Sequence, residues 1–62
     1  MNEARYSIRE MPDGTWAVID KVTEQVAELG GNVQTGFEQW QANYTAGLLN
    51  HLYAEGHSVL LQ

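Results

Sequence analysis

The sequence predicts an α+β fold of order β-β-β-α: a three-stranded antiparallel sheet over residues 4–34, one long C-terminal helix over 36–55, and a tail over 57–62. Three observations predict it. Residues 4–10 and 15–21 flank Pro12-Asp13-Gly14 and read as two half-buried strands joined by a tight turn. Gly30-Gly31-Asn32 is a strong breaker. Beyond it, 36–55 repeats apolar side chains at helical spacing and contains no proline.

The first strand, Ala4 to Glu10, alternates polar with apolar. Proline pre-sets φ at the first turn position, aspartate suits the second, and glycine accepts a positive φ at the third. That order predicts a type I turn with a glycine bulge, and the loop length sets a register. Met11 opposes Thr15, Glu10 opposes Trp16, Ile8 opposes Val18 and Tyr6 opposes Asp20. Directly opposed residues share a face. Tyr6, Ile8, Trp16 and Val18 therefore meet the helix, and Arg5, Ser7, Arg9, Ala17 and Ile19 form a wet or partly covered face. Lys21 to Gln25 is a polar connection, and Val26 to Leu29 a short third strand.

Thr35 and Glu38 have the spacing of a capping box, and Gly56 suits a left-handed terminator. About 20 residues between them give a helix roughly 30 Å long. Two apolar stripes run along it. Phe37, Trp40, Tyr44, Leu48 and Leu52 form the expected core stripe, with Gly47 and His51 near its edge. Gly47, costing about 1 kcal/mol relative to alanine, suggests close approach by another backbone or a ring such as Trp16. Ala42, Ala46, Leu49 and Tyr53 form a second stripe at coiled-coil-like intervals. Gln39, Asn43 and Asn50 separate the two. A single small sheet leaves the second stripe without a partner unless the tail, which is compatible with a short strand or a packed end, covers it.

Length and composition bound the function. The chain has 62 residues, 44% of them apolar, and a domain this size buries only about 60% of its unfolded surface. Small scaffolds compensate with disulfides, metals or a partner subunit. Cysteine is absent, which removes disulfides and cysteine-based zinc sites, and two histidines make a poor metal cage. The net charge of −5 opposes nucleic-acid and anionic-lipid surfaces. No apolar run reaches the roughly 20 residues of a membrane span, and the polar start, Met1 to Arg5, lacks a signal-peptide core. The expected setting is cytoplasmic.

Specific chemistries find little footing. His51 and Glu55 are four apart on one helical face, a spacing suited to an ion pair and lacking the His-Glu-x-x-His pattern of a metal site. No serine or threonine has the strand-turn-helix context of a nucleophile. The acidic pairs Glu24 with Glu28 and Glu10 with Asp13 fall in turns and edges. Gly30, Gly31 and Gly36 match neither the P-loop nor the dinucleotide fingerprint. No cofactor and no catalytic residue is expected.

Three strands followed by a helix resembles, in topology, the arm-type DNA-binding domains of phage integrases, which lay a sheet in the major groove. Those domains are strongly basic, and this chain has three cations, Arg5, Arg9 and Lys21. The strand, Asp13-Gly14 turn, strand and later helix are also similar to small antitoxins that neutralise bacterial ribonuclease toxins. Fold-level likeness carries no activity by itself. The expected function is a non-catalytic protein-interaction module, homodimeric through Ala42, Ala46, Leu49 and Tyr53. The alternative is a nucleic-acid or anion-binding regulatory module using Arg5, Arg9 and Lys21.

Overall fold

A computed structural model describes residues 4–55, so the expected tail over 57–62 and the terminator Gly56 lie outside the described residues. The elements are β1 (Tyr6–Glu10), β2 (Trp16–Asp20), β3 (Gln25–Val26), β4 (Glu28–Leu29), β5 (Asn32–Val33) and α1 (Gln39–Ala54). Strands β1, β2 and β3 form a three-stranded antiparallel sheet with β2 central, packed against α1.

The first hairpin has the register expected from its turn, with Tyr6 opposite Asp20, Ile8 opposite Val18 and Glu10 opposite Trp16. Gly14 adopts φ 88° and its N–H donates to the Met11 carbonyl at 2.9 Å. Asp13 Oδ1 accepts from both the N–H and the hydroxyl of Thr15, at 3.0 and 2.6 Å. Those bonds hold the Asp13 carboxyl below the usual carboxylate range.

The third strand is not the continuous run expected over 26–29. It is a composite. Residues Gln25 and Val26 pair with Asp20 and Ile19, and Ala27 N–H donates to the Val18 carbonyl at 2.8 Å. The chain then leaves the sheet as a miniature hairpin, β4 with β5, turning on Gly30 and Gly31 at φ 60° and 84°. Two successive positive φ values match a two-residue turn of the I′ type, whose twist suits a hairpin. The chain rejoins β2 directly afterwards. Val18 N–H donates to the Gln34 carbonyl at 3.0 Å, and Trp16 and Phe37 exchange both backbone bonds at 2.8 and 3.0 Å.

That return delays the helix. Residues 34–37 are still serving β2 where the spacing Thr35-x-x-Glu38 predicts a capping box, and Gly36 at φ 79° redirects the chain. The cap is Glu38, one turn later than expected, with extended backbone, and Gln41 Oε1 accepts from the Glu38 N–H at 3.0 Å. The helix therefore runs over Gln39–Ala54.

The core contains Tyr6, Val18, Ala27, Ala46 and Leu49, with Ile8, Leu29, Phe37 and Leu52 packed around it. Tyr6, Ile8, Val18, Phe37 and Leu52 belong to the expected set, whereas Trp16 is only half-buried. The helix presents the opposite stripe from the one expected. Ala42, Ala46 and Leu49 are 0%, 6% and 1% exposed, while Trp40, Tyr44 and Leu48 are 65%, 70% and 44% exposed. Small helix side chains let the backbone approach a layer already filled by the bulky Tyr6 and Ile8 of the sheet and by Leu29 and Phe37 from the segments beside it. Large rings on both layers would hold the two apart. The reverse face is partly covered, with Ala17 and Ile19 buried, Arg5 and Ser7 half-buried and Arg9 exposed.

Candidate functional site

Two surfaces draw attention, and the helix sets the first. Its N-terminal half points Ala42 and Ala46 at the sheet, so residues half a turn away face outward. Trp40, Tyr44 and Leu48 succeed one another at intervals of four and make one exposed apolar stripe. Gly47 lies on the same outward side. A Cβ built on Gly47 meets no atom within 4 Å, so the close approach by Trp16 that its presence suggested does not occur. Nothing inside the described chain requires a glycine there, although it weakens the helix.

Of the four residues expected at an interface, Ala42, Ala46 and Leu49 are consumed by the core. That corrects the assignment: an interface cannot use side chains already sealed against the sheet. Tyr53 remains 37% exposed, and its ring lies against the Arg5 guanidinium, whose Cζ is 5.0 Å from the ring centroid.

Arg5 anchors the far end of the sheet. Its Nε and Nη2 donate to Asp20 Oδ1 and Oδ2 at 2.9 and 2.8 Å, a bidentate pair. The same guanidinium lies 5.4 Å from the Tyr6 ring centroid, so β1, β2 and α1 meet around it. Asp20 Oδ1 also accepts from Val22 N–H at 2.9 Å. The hydrogen bonds from Arg5, above all, hold the Asp20 carboxyl below the usual carboxylate range, against the pull of burial. Burial pushes the Tyr6 hydroxyl the other way, above its usual range. That hydroxyl has no hydrogen-bond partner among the described residues.

This pairing separates the three cations. Arg5 is committed to Asp20 and leaves the face it was expected to share with Arg9. Arg9 and Lys21 instead border a shallow recess on the side of the sheet away from the helix, together with Ser7, Ile19 and Glu24. Among the described residues neither Arg9 nor Lys21 has a side-chain hydrogen bond or ion pair. That recess is the second surface, and neither spacing nor composition pointed to it as distinct from Arg5.

His51 and Glu55 form the expected helix-side pair, Nε2 to Oε2 at 3.0 Å, on the exposed face. Among the described residues no group of three or more His, Cys, Asp or Glu side chains is placed to hold a metal ion, and no helix is long and apolar enough to cross a membrane. No family model matches the chain, and no curated protein or solved structure matches it either, so the two surfaces are read from their own chemistry.

Proposed function

We propose that this chain is a small non-catalytic protein-interaction module that self-associates through the outward face of α1. The observation that carries the reading is the exposed stripe Trp40, Tyr44 and Leu48. Large apolar side chains grouped in one exposed patch mark interaction surfaces more often than singly scattered ones do. A second copy fits the stripe because twofold dimers are the commonest assemblies and pair one surface with itself. With an axis near Tyr44, antiparallel helices set Trp40 of one copy beside Leu48 of the other, and the adjoining Gly47 leaves room for the indole. That gives the helix glycine a use the monomer lacks.

The size of the patch sets the strength. Two rings and a leucine at these exposures amount to on the order of 300 Å² per copy. Two copies then bury well under the roughly 1,200 Å² of stable complexes, so the dimer is weak and concentration-dependent. Sedimentation velocity from low to high micromolar concentration tests this. The expected result is a shift from one-chain to two-chain mass that Tyr44→Glu abolishes without changing the far-ultraviolet circular dichroism. A one-chain mass across the range, unchanged by the substitution, overturns the proposal.

A further inference from the structure

The β1 strand is an edge strand among the described residues, and the phase of its ladder decides which groups face outward. Lys21 N–H donates to the Arg5 carbonyl at 2.9 Å, and Met11 N–H to the Thr15 carbonyl at 2.7 Å. In an antiparallel ladder hydrogen-bonded pairs alternate with non-hydrogen-bonded ones. The odd-numbered residues of β1 therefore bond to β2, and the N–H and C=O groups of Tyr6, Ile8 and Glu10 point to the other side. Asn50 confirms the phase. Its Oδ1 accepts from Tyr6 N–H at 2.7 Å and its Nδ2 donates to the Tyr6 carbonyl at 3.0 Å, the two bonds that a neighbouring strand residue would make. The helix thus closes the edge at Tyr6 and stops there. No hydrogen bond among the described residues takes the outward groups of Ile8 and Glu10.

A charge feature lies beside this open stretch. Arg9 sits between Ile8 and Glu10 with its side chain on the face away from the helix, where the recess bordered by Ser7, Arg9 and Lys21 lies. The remaining described cation is tied to Asp20. Glu24 lines the same recess and offsets part of its charge. In a chain of net charge −5, this is where two unpaired cations converge.

We propose that the Ile8–Glu10 edge of β1 accepts an extended acidic segment of a partner protein as an added strand. Backbone groups of Ile8 and Glu10 supply the ladder bonds, the mode known as β-augmentation. A carboxylate side chain opposite Arg9 shares its face and meets the guanidinium, and one two residues along meets Ser7 and the Lys21 side of the recess. Charge complementarity selects the acidic segment over a basic one. Two cations with Glu24 beside them make too small a basic patch to track a polyphosphate backbone, which favours a short protein segment with one or two carboxylates. This site is independent of the helix stripe, so either proposal can fail alone.

The test uses the full chain labelled with nitrogen-15 and a blocked peptide of alternating threonine and glutamate. Expected are amide shifts centred on Ile8 to Glu10, slowed hydrogen exchange at Ile8 and Glu10, and weaker binding in added salt. Arg9→Glu reduces affinity about tenfold and Arg9→Lys largely restores it. Equal binding by the threonine–lysine peptide overturns the proposal, as does tighter binding of a single-stranded oligonucleotide. Shifts centred on Trp40 and Tyr44 overturn it as well. So does protection of Ile8 and Glu10 that grows with protein concentration and needs no peptide, because the occupant is then a second copy.

Discussion

The side-chain amide of Asn50 holds both backbone polar groups of Tyr6, accepting from its N–H at 2.7 Å and donating to its carbonyl at 3.0 Å. The two residues are 44 positions apart, so this contact fixes how the helix is rotated over the sheet. With Asn50 turned to the β1 edge, Ala46 and Leu49 face the core and Tyr44 faces out. Asn50→Ala leaves two partly buried backbone groups unpaired and is expected to cost about 2 kcal/mol in urea unfolding. Asn50→Asp keeps the acceptor and loses the donor, setting a carboxylate against the Tyr6 carbonyl at neutral pH. Its deficit should shrink in acid, where a protonated carboxyl can donate again.

That contact also explains which parts of the fold were legible. The first hairpin was readable because Pro12-Asp13-Gly14 determines a loop length, and the loop length determines the pairing of Tyr6 with Asp20 and Ile8 with Val18. The presence of a late helix was equally plain from its periodicity. Which stripe faces inward was not. Trp40, Tyr44 and Leu48 carry far more apolar surface than Ala42 and Ala46, but the volume available depends on what the sheet contributes. The pair Ala42 and Ala46, four apart, was the signal of close packing, and it fits the helix against its own sheet. The delayed helix start had no local warning either, since Thr35-x-x-Glu38 is a sound capping pattern that loses to the bonds between Phe37 and Trp16. The recess beside Arg9 and Lys21 needed coordinates, because sequence alone does not tell which cation Asp20 takes.

Acid should weaken the fold through Asp20. Its folded carboxyl is held below the unfolded range by the hydrogen bonds from Arg5. A depressed folded value means the stabilisation is complete above the unfolded value of about 3.9 and is lost as pH falls through the folded value. Thermal melts should therefore be level from neutral pH to roughly pH 5 and decline below about pH 4. Asp20→Asn removes the charge while keeping the shape. It should cost on the order of 1–2 kcal/mol at neutral pH and flatten the acid decline, the difference from wild type narrowing in acid. A parallel decline in both proteins would assign the acid sensitivity elsewhere.

Glu24 closes the turn between β2 and β3 with φ 62°, a left-handed conformation that favours glycine. Its N–H donates to the Asp20 carbonyl at 2.7 Å, so the turn holds the residue there. Glu24→Gly removes the side-chain clash of that conformation and is expected to raise stability by about 1 kcal/mol, read as a higher denaturant midpoint with an unchanged slope. Glu24→Val, branched at Cβ, should lower it. The glycine variant also removes the one carboxylate lining the Arg9 and Lys21 recess, so stability and acidic-peptide binding should rise together in this variant.

The exchange of helix faces makes opposite demands on neighbouring positions. Ala46 is buried in one cluster with Tyr6, Val18 and Leu49. Ala46→Leu inserts three carbons beneath the helix and should cost roughly 1–3 kcal/mol by forcing the layers apart. Tyr44, 70% exposed, gives up little when truncated. Tyr44→Ala should leave the unfolding free energy of dilute protein within about 0.5 kcal/mol, helped by alanine's helix propensity. At high protein concentration the same substitution should lower the melting temperature relative to wild type, because a dimer that buries the ring stabilises the folded chain by mass action. If Tyr44→Ala destabilises dilute protein as much as a core truncation, about 3 kcal/mol or more, the ring belongs to the core. The outward stripe would then not exist.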